Sequence, residues 1–166
     1  MITSLGISTR AIGNALFNYA ILLEVAKKTG FEPIYPIGED HIDPSNGQNI
    51  QQLYNAFHIP IKKSPISKLE NQILFQYKRD LDNNFDPSIF EIQDGTNIFG
   101  YFQNMSYYED FESIKPLFLK EIQEQARTIF KNLNLTTEKC VGLHIRRGDY
   151  VNISAHPVIA KDYYEK

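Results

Sequence analysis

Four polar side chains stand within six consecutive positions, His144, Arg146, Arg147 and Asp149, and the two arginines among them can grip an anion. They follow Cys140, Val141 and Leu143, an apolar run that reads as a buried strand, and lead into the turn signal Gly148-Asp149. A guanidinium presents a planar fork of donors that matches phosphate oxygens, so two of them at the carboxyl end of a strand fit a phosphate-facing site. The same arginines could instead pair with ordinary carboxylates such as Asp149. Arg10, Gly13 and Asn14, at the start of a helical pattern, form a second group. Unpaired N–H groups, a helix dipole and an Arg there can receive an anion, and the alternative is a plain helix start capped by Asn14. Gly13 weakens a helix, which points to a close backbone approach or a helix starting one residue later. His41 with Asp43 is a pair without a third ligand nearby and reads as part of a solvated loop, and Asp80 with Asp82, followed by Asn83 and Asn84 in a turn-like setting, reads as an ordinary surface acidic pair.

These groups need elements to position them. Ile2–Ile7 reads as a short strand running directly into a helix, whose apolar face is Ile12, Leu16, Tyr19, Leu23 and Ala26. Lys27 and Lys28 suit the end of that helix and Gly30 its termination. Phe31–Ile37 reads as a second strand, confined by Pro33 and Pro36 to a short or edge pairing. A polar loop over Gly38–Gly47 and a helix over Asn49–Phe57 follow. Within the less legible span from Ile61 to Ile92, Ile73–Tyr77 is a candidate strand and Asp86-Pro87-Ser88 a turn or helix start. Asn97–Gln103 reads as an aromatic strand with Gly100 in its interior, where a neighbour must approach the backbone closely. A short Tyr-rich helix over Ser106–Phe111 precedes a longer one over Ile114–Leu133, with Leu117, Ile122, Ala126, Ile129 and Phe130 on its buried side. The polar stretch Asn132–Glu138 is the best linker candidate, and Pro157–Lys166 opens another helical pattern.

The 166 residues suffice for one well-buried domain, with at most the start of another. An apolar share of 42%, with 10 Tyr and 11 Phe, supplies a core and argues against disorder. A net charge of −3 without a basic block argues against a nucleic acid gripped through its backbone. The single cysteine, Cys140, excludes an internal disulfide and a cluster of Cys ligands for zinc. The first residues lack the pattern of a secretory signal, and no apolar run approaches membrane-spanning length, so the cytoplasm is the expected location.

Three segments, TRAIGNALFNYAILLEVAKKTG, FGYFQNMSYYEDF and VGLHIRRGDYV, occur in the order and at the separations found in one family. The chain resembles bacterial-type α-1,2-fucosyltransferases, glycosyltransferase family 11, over most of its length, and the HxRRxD element is the most specific part. The resemblance implies an α/β chain: the N-terminal, acceptor-side domain of a GT-B-like glycosyltransferase over residues 1–135, then, over 139–166, the first strand of a C-terminal Rossmann-like domain that the chain does not complete. It implies an inverting, metal-independent transfer of L-fucose from GDP-fucose to the 2-hydroxyl of a terminal galactose on a glycan acceptor, with no cofactor. A cytoplasmic enzyme of this kind could associate peripherally with the inner face of the membrane. Arg146 matches the family's essential arginine at the donor's β-phosphate. His144, Arg147 and Asp149 complete the motif, and Gly13 and Asn14 match the glycine-asparagine loop on the opposite side of the GDP-fucose site. The loop departs from the usual pattern, since its leading glycine and closing glutamine are missing and one residue is inserted. Two rival readings stay open: a non-catalytic remnant, and a binding module presenting Arg147-Gly148-Asp149.

Overall fold

The computed structural model describes residues 1–6, 12–38, 57–79, 84–109, 118–134 and 142. Two compact units divide the chain, Met1–Gln123 and Glu124–Lys166. The pairs His41/Asp43 and Asp80/Asp82, most of the helix expected over Asn49–Phe57, and Cys140 lie outside the described residues.

The first unit is built on a five-stranded sheet in which every pairing is parallel. Its strands are β1 (Ile2–Thr3), β2 (Pro33–Ile37), β3 (Lys62–Pro65), β4 (Phe75–Lys78) and β5 (Thr96–Phe99), in the spatial order β3-β2-β1-β5-β4. Parallel strands need covering crossovers, and the first is α1 (Ile12–Thr29), between β1 and β2. α2 (Ile66–Glu70) follows β3 directly. A 3-10 turn over Pro87–Glu91 lies between β4 and β5, with the Asp86 side chain accepting from the Ser88 N–H at its start. The turn expected at Asp86-Pro87-Ser88 is therefore present.

β1 is shorter than the expected Ile2–Ile7 strand. Both its residues are fully buried, and the Thr3 hydroxyl donates to the Ile34 carbonyl at 2.8 Å. Beyond it the Ser4 hydroxyl donates to Asn18 and the Leu5 N–H donates to Asn97 Oδ1, so side chains take over from the backbone ladder. β2 is interior, not an edge. Its pairing with β1 ends at Ile34, so Pro36 lies beyond that ladder and its missing N–H breaks nothing there. β4 begins at Phe75, two residues later than the expected strand, and β3 with α2 was not legible at all.

α1 ends as expected. Gly30 takes φ 75°, and its N–H donates to the Ala26 carbonyl at 2.9 Å, a left-handed stop that glycine adopts without steric penalty. Of the expected stripe Tyr19 is fully buried, Leu16, Leu23 and Ala26 are half-buried against the core and Ile12 is exposed, while Ala15, Asn18, Ala20, Ile21, Leu22, Glu24 and Val25 are buried in addition. The helix serves two apolar clusters. Ala20, Ile21, Leu22 and Val25 join Ile2, Ile89 and Ile98, whereas Ala15 and Tyr19 join Tyr35, Phe57 and Ile59. A helix covered on two sides has no single wet face, so a one-stripe reading of its periodicity falls short.

The Tyr-rich helix expected over Ser106–Phe111 is a 3-10 turn over Met105–Tyr107. α3 (Lys120–Asn132) begins six residues after the expected Ile114, and none of its residues is buried. Ile129 is 61% exposed and Phe130 38%. Periodicity identifies a helix's apolar side without saying whether anything covers it.

Candidate functional site

In open α/β sheets ligands bind outside the carboxyl ends of the strands, and β1 and β5 are the neighbours at the middle of this sheet. Ser4 and Leu5 leave β1 there, and Gly100 to Gln103 leave β5. Buried polar groups must be satisfied, and those at this edge bond to one another. Asn97 on β5 accepts from the Leu5 N–H at 2.9 Å and donates through Nδ2 to Gln76 Oε1 at 2.7 Å, joining β1, β5 and β4 through one side chain.

A second chain of hydrogen bonds fixes the first turn of α1. The fully buried Ser4 donates to Asn18 Oδ1 at 3.2 Å, and Asn18 Nδ2 donates to the Asn14 carbonyl at 2.9 Å. From the β5 side Gln103 Nε2 donates to Asn14 Oδ1 at 2.7 Å. Asn14 is thus held by its backbone from below and by its side chain from across the edge. It stands as the third residue of the helix, not at its cap, since α1 begins at Ile12. Gly13 lies inside the helix, and a Cβ on it would meet nothing within 4 Å among the described residues. The helix starts at Ile12 rather than one residue later, and no described residue makes a close approach to Gly13. The first N–H groups of α1 lack intrahelical acceptors, as at any helix start, and carry the positive end of the dipole.

The turn after β5 is tightly built. A Cβ on Gly100 would lie 2.8 Å from the Phe102 ring and 2.9 Å from Arg79 Cβ, which is the close approach expected of this glycine. Phe102 takes φ 52°, uncommon for a bulky residue. Its ring is buried, edge-on to Tyr107 at 5.6 Å and stacked on Tyr77 at 6.5 Å, and its carbonyl accepts from the Tyr108 hydroxyl at 2.6 Å. Burial, then the neighbouring Tyr107 and Glu24, raises the Tyr108 phenol above its usual range, so it stays a donor at neutral pH. Underneath, Tyr77 donates to Asp86 at 2.9 Å, Arg79 Nη1 sits 3.6 Å from the same oxygen, and Tyr107 bridges the Asp86 N–H and the Asn84 carbonyl.

Of the site residues expected from sequence, Gly13 and Asn14 stand at this edge. His144, Arg146, Arg147 and Asp149 lie outside the described residues. The structure adds Gln103, Asn18 and Ser4. One signal for Asn18 was available, an amide four residues after Asn14 on a helix side that is otherwise apolar. Among the described residues no three His, Cys, Asp or Glu side chains converge as a metal set, and no helix is long and apolar enough to cross a membrane.

A parallel α/β sheet with a polar, internally bonded carboxyl edge defines the class: an α/β protein of the architecture that receives ligands beyond its strand ends. The chain belongs to glycosyl transferase family 11, a fucosyltransferase family, whose family model matches residues 11–164. Comparison with the curated proteins gives no match, and comparison with the solved structures gives none.

Proposed function

We propose that this chain is the donor- and acceptor-handling part of an inverting α-1,2-fucosyltransferase that uses GDP-fucose. Family membership supports glycosyl transfer. The observation that carries the site is the 2.7 Å bond between Gln103 and Asn14, because it unites two of the three segments on which the resemblance rests. In the proposed reaction the 2-hydroxyl of a terminal galactose attacks the anomeric carbon of fucose. The bond from that carbon to the phosphate oxygen breaks with inversion, GDP departs with the electron pair, and the hydroxyl proton passes to a base. Charge builds on the leaving diphosphate, and the Arg146 guanidinium is assigned to stabilise it, with His144, Arg147 and Asp149 shaping that side. Gly13 and Asn14, at the positive end of α1, are assigned to the opposite side of the donor. No metal ion takes part in this reading. The chain would comprise an acceptor-side domain over residues 1–135 and the beginning of a GDP-sugar domain over 139–166 of a GT-B-like enzyme.

The test is transfer of fucose from GDP-fucose to a galactose-terminated oligosaccharide, with the linkage read by NMR. A product fucosylated at the galactose 2-hydroxyl is expected, and Arg146→Ala should lower kcat about a hundredfold, the usual loss for one transition-state donor. Fucose on another hydroxyl would overturn the linkage, and an Arg146→Ala variant as active as wild type would overturn the role of the arginine.

A further inference from the structure

The carboxyl edge of the sheet contains one bond whose direction carries chemical information. An asparagine amide offers an acceptor on one side and two donor hydrogens on the other, so which side faces a ligand decides whether it can bind an oxyanion. Asn14 Oδ1 is occupied by Gln103 Nε2 at 2.7 Å, and no described residue accepts from Asn14 Nδ2. Its backbone carbonyl is fixed by Asn18, which Ser4 holds in turn. The remaining freedom is rotation of the amide, and Gln103 removes it. The geometry points to Gln103 as a positioning residue for the nucleotide-sugar donor: by engaging Asn14 Oδ1 it leaves Nδ2 as the group that meets a phosphate oxygen. This deepens the fucosyltransferase reading and rests on it.

The backbone that delivers Gln103 supports the assignment. Phe102, the residue before it, is held at φ 52° although it is neither glycine nor asparagine. Buried packing against Tyr77 and Tyr107 and the Tyr108 hydroxyl on its carbonyl maintain that conformation. Backbone held in sparsely populated regions clusters where a side chain must be aimed. Gln103 itself is exposed, so its bond to Asn14 adds little to stability.

The experiment titrates the full chain with GDP, and separately with guanosine, which lacks phosphate. The variants are Gln103→Met, Asn14→Ala and the pair together, each with its Tm recorded. A residue acting only through another gives a non-additive double-mutant cycle. Gln103→Met is expected to weaken GDP about tenfold, the effect of losing one well-placed hydrogen bond to a charged group, with guanosine affinity and Tm unchanged. It should weaken GDP no further when Asn14 is already alanine. Additive losses, an equal loss for guanosine, a lowered Tm, or a Gln103→Met variant that binds GDP as wild type does would each overturn the positioning role while leaving the fucosyltransferase reading intact. A wild-type chain that does not bind GDP would overturn the donor-site reading and the role of Gln103 with it.

Discussion

Asp86 shows how one carboxylate can organise the floor of a site without being part of it. It accepts from the Ser88 N–H at 3.0 Å and from the Tyr77 hydroxyl at 2.9 Å, with Arg79 nearby. Bonds from Ser88, then from Tyr77, then the Arg79 charge hold its carboxyl below the usual carboxylate range. A folded pKa below the unfolded one means that ionised Asp86 stabilises the fold above about pH 4 and loses that contribution as pH falls through the folded value. Asp94, paired with the Met1 amino group, and Glu109, paired with Lys27 and Lys28, shift in the same direction, but both are well exposed and solvent weakens their pairs. Denaturant titrations of wild type and Asp86→Asn should therefore differ most near neutral pH and converge as the solution is acidified. A stability difference that stays constant down to about pH 2 would show that Asp86 does not titrate with folding.

Among the elements, the turn leaving β5 is the one whose geometry the site depends on most. Gly100 faces the Phe102 ring at 2.8 Å and Arg79 Cβ at 2.9 Å from where its own Cβ would be. Phe102 cannot retreat, since its ring is packed on Tyr77 and Tyr107 and its carbonyl is bonded to Tyr108. Gly100→Ala should cost about 1–3 kcal/mol, the usual range for overpacking a filled interior, as a lowered denaturation midpoint at unchanged slope. Loss below a few tenths of a kcal/mol would mean the turn relaxes easily. Gly13→Ala offers the contrast. Its Cβ would meet nothing within 4 Å among the described residues, so the helix should gain up to about 1 kcal/mol from alanine's better propensity.

For the molecule as a whole, burial is distributed unevenly. The core is gathered on α1, β1, β2 and β5, where Ile2, Tyr19, Ile21, Leu22, Val25, Tyr35 and Ile98 are completely enclosed. α3 has no buried residue and exposes Ile129, Phe130 and Leu133. Elements with few buried apolar contacts open at lower free energy. Hydrogen exchange should find the amides of Tyr19 to Val25 among the slowest and those of α3 exchanging well before them. Equal protection of the two helices would mean that α3 opens only with global unfolding.

Read from residue types alone, the sequence was sufficient for the α/β class, for the long first helix with its Gly30 stop, for a turn or helix start at Asp86-Pro87-Ser88, and for a close approach at Gly100. It also carried the family, because HxRRxD and the glycine-asparagine and FGYFQ segments are local strings that need no fold to be read. These are short-range features, set by spacing, turn chemistry and capping within a few residues. Tertiary structure decided the rest. Two-residue β1 is central only because neighbouring strands bury both its side chains, and Pro-bearing β2 is interior only because its ladder with β1 ends before Pro36. β3 was missed because its residues Lys62, Lys63 and Ser64 carry no strand pattern, the strand being held by backbone pairing to β2. Gln103 and Asn14 lie 89 positions apart. That they bond, and so fix the orientation of the Asn14 amide, follows from β5 lying beside β1, a long-range pairing that no local pattern encodes.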